Sequence, residues 1–162
     1  MNPRFRPLVL GAGLTLALAA TATAQEVPTR LTPVEIAGLA KGGAGAGTSG
    51  VGGIQTIVLS GDPTRPGPYT IEISVPPHTS IAAHTHRDDR SAVVVSGIWW
   101  FGYGPKADDG LVKALGPGSF YTEPAGQAHF AQTGDQPAVV YITGLGPTDT
   151  QYIEPAAHPR RL

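Results

Sequence analysis

The sequence predicts an all-β domain, either a sandwich or a barrel, and three observations support this. Short runs rich in β-branched and aromatic residues follow one another from Ile54 onward, and several of them alternate apolar and polar positions. Glycine and proline clusters separate these runs at regular intervals. Helical periodicity is almost absent from this part of the chain. A single jelly-roll barrel is the simplest architecture that fits this pattern.

The N-terminal residues have the three-part pattern of a secretory signal peptide. Arg4 and Arg6 precede an apolar run over residues 8–20, and Ala22-Thr23-Ala24 is a small-residue cleavage pattern. The apolar run is short for a transmembrane helix, although an uncleaved anchor is the alternative. We therefore expect a signal peptide over residues 1–24 and an exported protein, periplasmic or secreted, with no membrane span once the peptide is removed.

Length and composition narrow the classes of function. The chain has 162 residues, which suggests one domain. Without Arg4 and Arg6 it has 9 basic and 12 acidic residues and no basic patch, so we expect no nucleic-acid partner. It contains no cysteine, which excludes disulfides, thiolate zinc sites and cysteine nucleophiles.

The segment over residues 25–53 precedes the predicted strands. Thr32, Pro33 and Glu35 have the spacing of a capping box with proline at the first helical position, which predicts a short helix. Seven glycines lie between residues 41 and 53, and this composition predicts a flexible linker. A glycine loop that cradles a ligand is the alternative, but it lacks the lysine and the strand-to-helix setting of such loops.

The barrel is predicted over residues 54–146, followed by a C-terminal tail over residues 147–162. Each strand is an apolar or alternating run that a turn cluster closes, such as Pro76-Pro77 or Gly134-Asp135. The predicted strands are 54–59, 69–75, 81–86, 92–95, 98–103, 111–115, 120–123, 129–133 and 138–143.

Two histidines mark the place where chemistry is expected. His84 and His86 are two residues apart, so both imidazoles leave the same face of a strand, with Cα atoms roughly 6.5–7 Å apart. Neutral imidazole is the commonest metal ligand in proteins. A third histidine from a neighbouring strand would complete a three-nitrogen site and leave positions open for substrate or water.

The spacing around these histidines resembles the two sequence motifs of the cupin family. The first resemblance is His84-Thr85-His86, three residues, Arg90, six residues and Gly97. The second is Gly118, five residues, Pro124-Ala125-Gly126, two residues, His129, three residues and Thr133. Three positions depart from the family pattern, which has glutamate at Arg90, glycine at His78 and asparagine at Thr133.

The resemblance implies a cupin-type double-stranded β-helix with a divalent metal ion inside the barrel. It carries the role of metal ligand onto His84, His86 and His129, and three histidines can hold iron, zinc, manganese or copper. The metal-free members of the superfamily leave a barrel without an ion as the alternative. Cupins often dimerise through a sheet edge, so the resemblance also implies a homodimer.

Arg90 cannot replace a glutamate ligand, because a guanidinium stays protonated and has no lone pair to offer. It can bind an anionic group of a substrate, or it can form an ion pair with Asp88, Asp89 or Glu123. Glu123 itself is a candidate fourth ligand, general base or partner of Arg90.

Aromatic residues are candidates for the walls of a substrate pocket. Trp99, Phe101 and Tyr103 share one face of a strand and Trp100 takes the other, so one set is expected in the core. Trp99, and Tyr121 on the face of Glu123, are the rings expected beside substrate.

These observations predict a metal-dependent barrel that acts on a small organic molecule, anionic if Arg90 contacts it. With iron or copper, oxygenase chemistry is favoured, whereas zinc or manganese fits isomerase, lyase or decarboxylase chemistry equally well. Two alternatives remain: a non-catalytic module that binds a small ligand or a metal, and a metal-free barrel whose histidines contact substrate or move protons.

Overall fold

The computed structural model describes residues 28–159 and contains two antiparallel five-stranded sheets that face each other. The predicted signal peptide lies outside the described residues. Each of the nine predicted strands is present, and the all-β jelly-roll prediction is confirmed. Within residues 28–159, no helix is long and apolar enough to cross a membrane.

The strands are short, and one α-helix precedes them. The elements in chain order are α1 (Pro33–Ala37), β1 (Gln55–Gly61), β2 (Gly67–Val75), β3 (Ser80–Thr85), β4 (Arg90–Ser96), β5 (Trp99–Tyr103), β6 (Val112–Leu115), β7 (Phe120–Glu123), β8 (His129–Gln132), β9 (Ala138–Gly146) and β10 (Gln151–Tyr152). The two-residue strand β10 was not predicted, and Asp109–Leu111 and Pro155–Ala157 are single 3₁₀ turns.

The order of strands decides which residues face one another across the barrel. The first sheet has the order β1-β2-β9-β4-β7, and the second has the order β10-β3-β8-β5-β6. Because side chains alternate along a strand, every second residue over 69–75 of β2 and 138–142 of β9 points into the barrel and is buried. The apolar part of the interior is built from these inward residues, among them Ile71, Ile73, Val140 and Ile142.

His78 has a left-handed backbone conformation, with φ of +54°. It stands at the position where the cupin motif has glycine, the residue that adopts positive φ without steric cost. The turn between β2 and β3 requires this conformation, and the His78 N–H donates to the Gly134 carbonyl across the barrel edge at 2.9 Å. The departure at this position therefore changes the residue and keeps the backbone shape.

The segment before the barrel contacts it closely. The capping box forms at α1 as predicted, with the Thr32 side chain and the Glu35 carboxylate bonded to each other's backbone N–H groups. Gly42 then pairs with Thr56 of β1 through two backbone hydrogen bonds. Thr48 and Ser49 are buried. The sequence predicted a flexible linker here, whereas the structure places these residues against the open end of the barrel.

Candidate metal centre

The second sheet brings three histidines together. His84 of β3 and His129 of β8 face each other directly in the antiparallel ladder, and His86 follows one residue after the end of β3. All three side chains are buried. The candidate ligand atoms of the three rings lie within 4.8 Å of one another. The structure therefore converges the predicted ligands on a single point inside the barrel.

Each imidazole is oriented by a backbone carbonyl on its Nδ1 side. His84 Nδ1 lies 2.8 Å from the Ala82 carbonyl and His129 Nδ1 lies 3.0 Å from the Gln127 carbonyl. His86 Nδ1 makes a short contact with the carbonyl of Asp149. A carbonyl can only accept, so each Nδ1 carries the proton and each Nε2 keeps its lone pair.

The Nε2 atoms of His86 and His129 are buried and have no hydrogen-bond partner among the described residues. Buried polar atoms in proteins nearly always find a partner, so these two mark a missing ligand. Three imidazole nitrogens within 4.8 Å of one another form a donor set that suits a divalent transition metal.

Burial keeps the three histidines neutral. It lowers the pKa of His84 to about 4 and, together with the positive charge of Arg90, lowers the pKa of His86 to about 2. Burial also lowers the pKa of His129. A metal ion therefore meets deprotonated ligands throughout the physiological pH range.

Arg90 and Glu123 form an ion pair inside the barrel. They are direct cross-strand partners in the ladder between β4 and β7, so both side chains leave the same face. Arg90 Nε donates to Glu123 Oε2 at 2.6 Å, and Arg90 Nη2 contacts the same oxygen. Burial raises the pKa of Glu123, but the charge and the hydrogen bond of Arg90, together with the neighbouring His129 and His86, outweigh this effect and lower the pKa to about 2. Of the interpretations of Arg90, the ion pair with Glu123 is the one that this structure contains.

The other two carboxylates considered for Arg90 have different partners. Asp88 is buried and accepts hydrogen bonds from Tyr69 Oη at 2.9 Å and from Thr148 Oγ1 at 2.6 Å. Asp89 accepts from the backbone N–H of Ala125 at 2.8 Å. Both therefore hold loops at the barrel mouth.

Glu123 Oε2 also faces the histidines. It lies 3.8 Å from Nε2 of His86 and 3.8 Å from Nε2 of His129. Ligand atoms around a tetrahedral zinc ion are about 3.4 Å apart, given bond lengths of about 2.1 Å. The carboxylate oxygen is therefore close to the position of a fourth ligand, although it comes from β7 and not from the Arg90 position of β4.

The space between these groups is small. Its volume is about 20 Å³, which holds one water molecule or one ion. Trp99 and Tyr121, which the sequence suggested for the pocket wall, border this space together with Phe101. Trp99 Nε1 and Tyr121 Oη are buried without hydrogen-bond partners among the described residues, and burial raises the pKa of Tyr121 well above its usual value. Tyr103, which ends β5 after Trp99 and Phe101, is exposed.

Of two further contributions to the site, the sequence offered one only as the less favoured alternative and gave no signal for the other. Gly47, Thr48 and Ser49 border the cavity, although their composition is typical of a linker. The carbonyl of Asp149 orients His86 from 63 positions further along the chain. Neither follows from local spacing, because both depend on where distant loops cross the barrel mouth.

Comparisons with known proteins agree on the fold. No family model matches the sequence, and no curated protein matches it. Among solved structures, the polyketide cyclase RemF from Streptomyces resistomycificus is similar with a TM-score of 0.61 and 19% identity, covering 80% of this chain and 90% of that one.

Two further structures are described as cupins. The cupin-2 domain Rru_A2000 from Rhodospirillum rubrum has a TM-score of 0.53 and 17% identity over 64% of this chain and 68% of its own. A cupin 2 conserved barrel domain protein from Rhodopseudomonas palustris has a TM-score of 0.50 and 12% identity over 60% and 65%. The chain therefore has the cupin fold.

Proposed function

We propose that this cupin barrel is an exported metal-binding protein that acts on a small organic molecule. The observation that supports the proposal best is the arrangement of three buried imidazoles with Nδ1 held by backbone carbonyls and Nε2 facing one point. His84, His86 and His129 would hold the ion, and Glu123 Oε2 is placed to add an oxygen ligand.

The bound ion would supply Lewis acidity or an oxygen-activating centre, and its identity separates the two. Iron or copper favours oxygenase chemistry, whereas zinc or manganese favours isomerase, lyase or decarboxylase chemistry. The similarity to a polyketide cyclase is consistent with a small-molecule substrate. Trp99 and Tyr121 would line the substrate side of the site, and Arg90 would keep Glu123 ionised. A homodimer, as the sequence resemblance implies, is part of the proposal.

A non-catalytic module is the second candidate. It is favoured by the small cavity of about 20 Å³, in which Arg90 and Glu123 occupy the space beside the histidines. Turnover of a substrate by the metal-loaded protein would exclude this candidate, and stoichiometric binding without turnover across a substrate screen would support it.

Elemental analysis of the protein, purified without a histidine tag, tests the metal site directly. We expect near-stoichiometric metal in the native chain and none in the His84→Ala, His86→Ala double variant. His78→Asn is the matched control, because His78 lies on the surface in contact with Asp135 and asparagine tolerates its positive φ. Absence of metal in the native protein, even after incubation with iron, zinc, manganese and copper salts, would exclude the proposal.

A further inference from the structure

Tyr152 lies beside the candidate metal centre without bordering its cavity. The strand that carries it, β10, pairs with β3, and Tyr152 is the direct antiparallel partner of His84. The two side chains therefore leave the same face of the second sheet. Their ring centroids are 5.5 Å apart and their planes are tilted by 35°, a separation at which aromatic rings are in contact. Tyr152 thus contacts a candidate ligand from outside the cavity.

The imidazole of His84 lies between two rings. His129 is the partner of His84 on the other side of β3, and the centroids of these two rings are 4.4 Å apart. Since β3 lies between β10 and β8 in the second sheet, Tyr152 and His129 flank His84 from opposite neighbouring strands. A movement of the His84 ring toward β10 is therefore blocked by the ring of Tyr152.

Tyr152 is itself held at its hydroxyl, its backbone and its ring. Its Oη donates to the carbonyl of the buried residue Ser49 at 2.7 Å. The N–H of the next residue, Ile153, donates to the Ala83 carbonyl at 3.0 Å, which continues the pairing of β10 with β3. The ring of His158 also contacts the Tyr152 ring, with centroids 5.5 Å apart and planes at 60°. Tyr152 therefore gives His84 a fixed surface to pack against.

His84 needs such a surface, because one hydrogen bond does not fix the orientation of an imidazole. Its Nδ1 bonds to the carbonyl of Ala82, two residues earlier in the same strand, at 2.8 Å. The torsion about the Cβ–Cγ bond of histidine has a broad minimum, so the ring can still tilt about this hydrogen bond. An aromatic ring packed against the imidazole restricts the tilt and thereby the direction of Nε2.

We propose that Tyr152 is a positioning residue for the metal centre: its ring, anchored through Oη on the Ser49 carbonyl, holds the His84 imidazole in the orientation that binds the ion. Tyr152 does not contact the ion itself. With the Asp149 carbonyl at His86, the segment over residues 149–152 then supports two of the three ligands. This inference rests on the proposed function, because it requires a metal ion at the three histidines.

Substitutions of Tyr152 test this role in the Co²⁺-loaded protein. Tyr152→Leu removes the ring, so we expect the Co²⁺ affinity, measured against a competing chelator, to fall by about tenfold or more. Its visible absorption bands, which report the arrangement of the ligands around Co²⁺, should shift. Tyr152→Phe keeps the ring and loses only the bond to Ser49, so its affinity should fall by about threefold, with bands close to those of the native protein.

Tyr103→Leu is the matched control. Tyr103 is the direct antiparallel partner of His129, and its Oη donates to a backbone carbonyl, that of Thr122, at 2.6 Å. Its ring packs against Phe101, with centroids 5.2 Å apart, and the residue is exposed. We expect Tyr103→Leu to keep the native Co²⁺ affinity and absorption bands. Urea denaturation of the metal-free variants measures the stability lost in each, so that Co²⁺ binding is compared among folded proteins.

Two results would overturn the inference: native Co²⁺ affinity and bands in Tyr152→Leu, or equal losses of affinity in Tyr152→Leu and Tyr103→Leu. If Tyr152→Leu does not fold, Tyr152→Phe takes its place, and an unchanged Co²⁺ affinity in that variant would overturn the inference. Failure of the native chain to bind Co²⁺ would overturn the proposed function, which the other results leave standing, so the two failures are distinguishable.

Discussion

The second sheet brings neutral imidazoles to the cavity, whereas the first sheet brings one full positive and one full negative charge. His84 and His129 lie in β3 and β8, and a backbone carbonyl accepts the Nδ1 proton of each neutral ring. Arg90 and Glu123 lie in β4 and β7 and need each other, because an isolated buried charge is very costly. The histidines of the second sheet are therefore suited to metal binding. The Arg90–Glu123 pair of the first sheet affects the free energy of unfolding, because neither charge can be removed alone without leaving the other unpaired.

Removal of Arg90 should have the largest effect on the free energy of unfolding. In Arg90→Met the Glu123 carboxylate stays buried without its partner, so we expect the free energy of unfolding at pH 7 to fall by about 3–5 kcal/mol. Adding Glu123→Gln removes the stranded charge and should recover most of the loss. Urea denaturation of the metal-free proteins measures both. A loss below about 1 kcal/mol in the single variant would show that the pair behaves like a surface salt bridge.

The pH dependence of stability should separate the two sheets in the metal-free protein. The pKa of His84 is lowered from 6.5 to about 4. Its contribution to the free energy of unfolding is therefore complete above pH 6.5 and is lost as the pH falls toward 4. The pKa of Glu123 is lowered from 4.5 to about 2, so its contribution is lost only between those values. We expect His84 alone to lose about 3–4 kcal/mol over the upper window, since its pKa falls from 6.5 to about 4 and each pKa unit corresponds to about 1.4 kcal/mol.

Two variants identify the windows in denaturation curves recorded from pH 8 to 3. His84→Gln cannot titrate and should remove its share of the loss in the upper window, where His86 and His129, whose pKa values are also lowered, still titrate. The Arg90→Met, Glu123→Gln pair should reduce the loss in the lower window. If both variants kept the native pH profile, the lowered pKa values would not be the source of the acid sensitivity.

A substitution of Arg87 at the protein surface should have the smallest effect on stability and on metal affinity. Arg87 lies on the surface and holds the Asp149 carboxylate, and the carbonyl of Asp149 orients His86. In Arg87→Gln, Gln151 still bonds that carboxylate at 2.9 Å, so stability should change by less than about 1 kcal/mol.

Metal affinity in Arg87→Gln should fall by no more than about tenfold, because His86 loses only part of its support. Titration against a competing chelator measures this affinity, with the native chain beside it. A much larger loss of metal affinity would show that Arg87 affects the orientation of His86 more strongly than these contacts indicate.

The strands were predictable because their signals are local. Alternation in β2 and the glycine and proline clusters around β5 and β6 depend only on neighbours in the sequence, and these strands lie where expected. The ligands His84 and His86 were predictable for the same reason, since a spacing of two fixes a common face. His129 followed from its place in the second cupin-like motif.

The rest of the site depends on pairing between distant segments. Nothing near Arg90 in the sequence indicates that its opposite residue is Glu123, because the register of β4 on β7 decides it. The packing of Thr48 and Ser49 over the cavity is likewise invisible in a glycine-rich stretch, whose composition resembles that of free linkers. At His78 the residue type was misleading: the backbone has the positive φ typical of glycine, although histidine does not predict it.

The direct opposition of Arg90 and Glu123 in one ladder has an evolutionary consequence. The carboxylate that the cupin motif places on β4 can be supplied from β7, and an exchange of both positions together keeps one acid and one base in the interior. Either substitution alone would pass through a barrel with two like charges or one unpaired charge. The two residues should therefore be inherited as a unit, and lineages with glutamate at the Arg90 position should carry an uncharged or basic residue at the Glu123 position.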